Sequence, residues 1–134
     1  MEIISLAMEG KAEPFAFVLK IIFTVVTIAA GFKGGEIVPT FFIGSTFGCV
    51  VGGLLGLEPE FGAAIGFVAL FCGVVNCPVA SIMLALEVFG ANSILIFAIV
   101  CGVSYMMSGY YGLYSSQKIM YSKLEATYIN INTK

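Results

Sequence analysis

Histidine and arginine are both absent from this chain, and charged side chains make up only 10% of it. Without histidine a Ser or Cys nucleophile lacks its usual base, so no catalytic constellation for an enzyme can be read. The same absence, with carboxylates scarce, argues against a zinc site. Six lysines in a chain of net charge −2 leave no basic footprint for nucleic acid. The lack of charge also excludes an ordinary soluble domain, which carries about a quarter charged residues to cover its surface. The opening MEIISLAMEGKAEP has no basic start, and the apolar stretch between Glu2 and Glu9 is too short for a signal peptide.

What the chain has instead is apolar length. Sixty per cent of its residues are hydrophobic and its mean hydropathy is +1.06. Uncharged runs extend from Phe61 to Leu86 and from Val88 to Gln117, each longer than the roughly 20 residues that cross a bilayer core. The composition therefore predicts an all-α, polytopic membrane domain over residues 1–134, embedded in the lipid bilayer of the cell membrane, with no soluble domain. The four cysteines, at positions 49, 72, 77 and 101, lie inside the apolar runs and are expected to act as small buried hydrophobes.

Glycine and proline punctuate these runs. Pro14 to Gly31 reads as a first helix whose only charge is Lys20, expected to snorkel toward the interface. Ile37 to Leu57 reads as a second, with Pro39 in its first turn, where a missing N–H costs little. After the acidic turn at 58–60 come Phe61 to Val75, the break Asn76-Cys77-Pro78, a short helix Val79 to Phe89, and Ile94 to Met107. Leu113 to Leu124 is expected to form a last, more polar helix, and the tail ATYININTK shows no periodic pattern. About six helices result. Gly44, Gly48, Gly52 and Gly56 recur every four residues on one face, which predicts a tight crossing with another backbone. The short helices on either side of Asn76-Cys77-Pro78 resemble the broken helices that membranes tolerate only where protein or a wet cavity surrounds them. Lys118, Lys123 and Lys134 follow the last apolar run, while the 58–60 turn carries only Glu. The positive-inside tendency then puts the C-terminus in the cytoplasm.

The segment GGEIVP, Gly34 to Pro39, carries the chemistry. Two glycines end one helix, and the amides near Glu36 and Ile37 open the next. The first amides of a helix have no internal partner, and the aligned dipoles make that end attractive to anions. In low dielectric it can hold a small anion without a full positive charge, so that the ion can leave again. Glu36 itself reads either as a helix cap or as a proton or anion group, since intramembrane carboxylates are costly and functional by default.

Gly35-Glu36-Ile37-Val38-Pro39 resembles the G-x-F-x-P motif that opens an anion-lining helix in CLC proteins, the voltage-gated chloride channel family. PVASIMLALEVFG, 78–90, is similar to that family's short helix after its proline break, with Glu87 in its L-E element. GYYGLYSSQKIMYSKLE, 109–125, is similar to the family's final helix. The resemblance covers nearly the whole chain and implies the C-terminal half of a CLC-type channel or anion/proton antiporter. It implies a halide bound by Gly35, Glu36, Ile37 and Val38 and by the hydroxyl of Tyr114, with Glu36 coupling protons. Residues alone do not single Tyr114 out from Tyr105, Tyr110, Tyr111 and Tyr121. Recognition by amides and a hydroxyl needs no metal and no cofactor. The family also implies a homodimer, with segments 78–107 supplying part of the contact, and Glu87 is expected to make a helix or subunit contact.

Ile37 stands where the common motif has Phe. Glu36 within the motif resembles a bacterial subclass reading G-G-E-x-T-P, associated with fluoride/proton exchange; Val38 replaces its Thr and removes a hydroxyl donor. The family's G-S-G-I-P and G-[KR]-E-G-P segments, which belong to its N-terminal half, are missing. The chain is thus expected to be a fragment, non-functional without that half. Chloride or fluoride as the ion, and channel or exchanger as the mode, stay open. A small helical membrane protein with a structural or assembly role is the reading from another class.

Overall fold

The computed structural model describes residues 2–11, 13–32 and 35–133. The chain divides into two compact units, residues 1–70 and 71–134, with the boundary inside a helix.

The first unit contains α1 (Glu2–Met8), α2 (Ala16–Ala29), α3 (Ile37–Leu54) and most of α4 (Pro59–Val75). Among the described residues only α3 is both long and apolar enough to cross a membrane by itself; the other apolar helices are shorter. α2 buries none of its residues and exposes Leu19, Ile22, Phe23, Val25 and Val26. That surface suits hydrocarbon rather than water. α3 is the inverse. Its buried set is Thr40, Gly44, Ser45, Thr46, Gly48, Cys49 and Gly52, nearly all small. The hydroxyls of Ser45 and Thr46 donate to carbonyls of their own helix, which removes the cost of burying them.

The glycine face is a helix crossing, as expected. A methyl group added at Gly48 would lie 2.3 Å from the Gly62 carbonyl oxygen, and one at Gly66 2.3 Å from that of Gly44. α3 and α4 therefore meet backbone to backbone, running antiparallel. The stacked rings of Phe41 and Phe67, 4.2 Å apart, continue this contact. Gly56 does not belong to it: nothing lies within 4 Å of its added methyl group. The helix ends at Leu54, short of the expected Leu57, and Gly56 has φ +75°. Leu57 N–H donates to Gly52 O and Gly56 N–H to Gly53 O, the glycine-terminated helix end of the Schellman type. α1, which the sequence pattern did not suggest, seats Ala7 in a small cluster with Cys49 and Ala63.

The second unit holds the end of α4, then α5 (Pro78–Phe89), a 3-10 turn (Ala91–Ser93) and α6 (Ile94–Met107). Ser81, Ala85, Phe97 and Cys101 are its buried contacts on α5 and α6. Cys72 Sγ–H donates to Cys101 O. All four cysteines are free thiols, three of them buried.

The expected last helix over Leu113–Leu124 is not present. The segment forms an antiparallel hairpin of β1 (Lys118–Tyr121) and β2 (Tyr128–Asn132), with Lys118 opposite Asn132 and Ile119 opposite Ile131. The strand residues are mostly β-branched or aromatic, types that fit a pleated surface better than a helix. The Tyr121 and Tyr128 rings pack edge to face across the strands, 5.6 Å apart. The fold is thus mostly helical, with a small two-stranded sheet at its C-terminus.

Candidate functional site

In the first unit the site forms where α3 begins. Glu36 is the residue that precedes α3, and its carbonyl accepts from the Thr40 N–H at 3.1 Å and the Thr40 hydroxyl at 2.8 Å. Its carboxylate makes no capping hydrogen bond to the helix. The acid is therefore not spent on closing the helix end, and it is half-buried. Ile37 and Val38 are the first two residues of α3, and Pro39, the third, has no N–H. The unpaired amides of this end come from positions 36–38. Gly35 and Val38 are exposed and Ile37 is half-buried. Gly34, the first glycine of the motif, lies outside the described residues.

Gly35, Glu36 and Pro39 form one wall of a cavity of about 150 Å³, and Lys20, Thr24 and Thr27 of α2 form the facing wall. The Lys20 ammonium lies 5.6 Å above the Phe42 ring.

Tyr114 belongs to the second unit, in the loop between α6 and β1. The loop is pinned around it: Leu113 N–H donates to Val74 O, Gln117 N–H to Tyr114 O, and the Thr133 hydroxyl also to Tyr114 O. The ring is exposed, and its own hydroxyl has no partner among the described residues. The neighbouring tyrosines differ. Tyr110 shares a 2.9 Å hydrogen bond with Ser122, and the Tyr105 ring lies 3.9 Å beneath the Lys123 ammonium. Glu87 is exposed on α5 within its unit.

A polar node that sequence reasoning missed anchors this loop. Asn76, buried and with φ +61°, forms the break between α4 and α5. Asparagine tolerates that left-handed backbone better than most residues. Its Nδ2 donates to Tyr111 O at 2.9 Å, and its Oδ1 accepts from Ser108 and from Lys123. Lys123 also donates to Tyr105 O at 2.8 Å and Ser108 Oγ at 2.9 Å. Three neutral acceptors thus surround one ammonium, and burial pushes it below the usual lysine range. The only available sequence signal was the polar Asn76 inside an apolar run.

A family model described as "Voltage gated chloride channel" matches residues 2–109. The chain belongs to the voltage-gated chloride channel family. A CLC relative from Pseudomonas syringae pv. tomato (strain ATCC BAA-871 / DC3000), named "Chloride/fluoride channel protein", is 44% identical over 110 residues. That match covers 82% of this chain and 24% of the relative. A solved CLC-type fluoride/proton antiporter superposes with a TM-score of 0.79 at 38% identity, over 84% of this chain and 29% of the antiporter. The chain thus spans about a quarter of the length of these CLC relatives. Its helical fold is that of a CLC protein.

Proposed function

We propose that this chain carries the inner anion site of a CLC-type transporter and contributes to exchange of a halide, fluoride or chloride, for protons across the cell membrane. The observation that carries the reading is the start of α3. Its unpaired amides open beside a cavity, and the Glu36 carboxylate there is not consumed as a cap. The names of the CLC relatives support both ions, and the family resemblance is what points to the Tyr114 hydroxyl as a further donor. A further segment, corresponding to the family's N-terminal half, completes the pathway. The apolar side chains exposed at Met83, Leu95, Ile99 and Val103 suit a homodimer contact through residues 78–107.

The test is flux. Vesicles holding the complete transporter should accumulate fluoride against its gradient when a proton gradient is imposed, with chloride as the competing ion. The 134-residue chain alone should give no selective halide flux, because lone inner-site helices leave polar backbone facing lipid. Passive halide flow with no proton movement would make the protein a channel. Selective flux from the chain alone would require several copies around one pore.

Tyr114→Phe in the complete transporter keeps the ring and removes the donor. Halide affinity should fall by about 1.5–3 kcal/mol, the range for a hydrogen bond to a charged group. Tyr110→Phe, which breaks only the Ser122 contact, should do much less. Equal losses would mean the anion does not meet Tyr114.

A further inference from the structure

Lys20 is the single charge in the sequence of α2, and it lines the same cavity as Glu36. A lysine in a helix that otherwise suits hydrocarbon is costly, and such residues mark ion pathways. The cavity's other polar side chains do not share its role. Thr24 and Thr27 each donate their hydroxyl proton back to their own helix, to Lys20 O and Phe23 O at 2.7 Å. Their hydroxyl protons are thereby taken up and are not offered to an anion. Among the described residues that line it, Lys20 is the only cation. The helix end adds roughly half a positive charge, and Lys20 and Glu36 are the charged side chains among the described residues that line the cavity.

We propose that Lys20 is the positioning charge that draws the halide into this cavity and holds it against the start of α3. The inference rests on the transport reading above and assigns the cavity's affinity to a residue outside the G-G-E segment. Its ammonium lies 5.6 Å from the Phe42 ring of α3, a contact that leaves the full charge in place.

The experiment measures initial fluoride flux against fluoride concentration in vesicles containing the complete transporter. Lys20→Gln should raise the half-saturating fluoride concentration roughly tenfold, as loss of a focusing charge in a low-dielectric cleft does. The maximal rate should stay within about twofold, since Lys20 binds the ion without driving the chemistry of exchange. Lys20→Arg, which keeps the charge, should restore the half-saturation. Lys20→Met, closer to the lysine stem, replaces the Gln variant if that one fails to fold. An unchanged half-saturation in Lys20→Gln or Lys20→Met, a loss confined to the maximal rate, or no rescue by Lys20→Arg would each overturn the proposal. The transport reading is tested separately by Glu36→Gln: if proton coupling disappears there while Lys20 variants bind fluoride normally, only the role of Lys20 fails.

Discussion

Gly48→Ala should prevent the protein from being recovered as a folded, monodisperse species, whereas Gly53→Ala in the same helix should leave it intact. The difference lies in what a methyl group meets. At Gly48 it would be 2.3 Å from the Gly62 carbonyl oxygen and 2.9 Å from the Gly66 Cα, both backbone atoms of α4. At Gly53 its nearest neighbour is Pro59 Cγ at 4.0 Å, an ordinary contact. Backbone cannot turn aside as a side chain can, so the two helices must separate along the crossing. Separation is expensive in a membrane, where lipid is as apolar as the helices and close packing is what holds them together. The cost should reach about 3 kcal/mol, the upper end for overpacking a tight interior. Size-exclusion profiles and thermal unfolding of the two variants in detergent measure it. Similar behaviour of both would mean that the α3–α4 crossing is looser than the structure has it.

That crossing was legible because its signal is a periodicity. Gly44, Gly48 and Gly52 share a helix face by spacing alone. Gly56 has the same spacing but lies beyond the helix end, and spacing cannot tell a packing glycine from a terminating one. The boundaries of α5 and α6 were readable for a similar local reason: Pro78, Gly90 and the paired breaks around them stop a helix whatever the rest of the protein does. The C-terminal hairpin was not read. LYSSQKIMYSKLE has no proline or glycine, and residues 118–121 can serve a helix or a strand. The deciding pattern was in the tail, where YININ alternates apolar and polar side chains with the period of a strand.

The site divides along the same line. The amide cluster at Glu36 and Ile37 follows from a helix start, which is local. Tyr114 could be chosen only by resemblance: the Ser122 contact of the Tyr110 hydroxyl sets that tyrosine apart, but the Lys123 contacts of Tyr105 fall on its ring and backbone carbonyl and leave its hydroxyl as open as that of Tyr114 among the described residues. The node at Asn76 joins residues from α6, the loop and the hairpin to one helix break, and no local pattern announces such long-range contacts.

Glu36→Gln should abolish proton-coupled, uphill halide transport while the protein still folds and still binds the anion. The substitution keeps size and shape and removes only the titration. Little stability should be lost, because the Glu36 carboxylate makes no capping hydrogen bond and the Thr40 contacts go to its backbone carbonyl. The backbone amides that open α3 also remain, so the anion keeps its donors. What disappears is reciprocity. An anion held at this helix end makes an ionised carboxylate beside it less favourable, and a protonated carboxyl makes the anion more welcome. Linkage requires that each ligand change the other's affinity by the same factor. With glutamine, one half of that exchange cannot occur, and halide should move only down its own gradient. Parallel recordings of halide and proton movement in vesicles, with binding measured by fluoride titration, separate the two effects. Persistence of proton coupling in Glu36→Gln would reduce Glu36 to a charge near a helix end and leave the exchange to a carboxylate outside this chain.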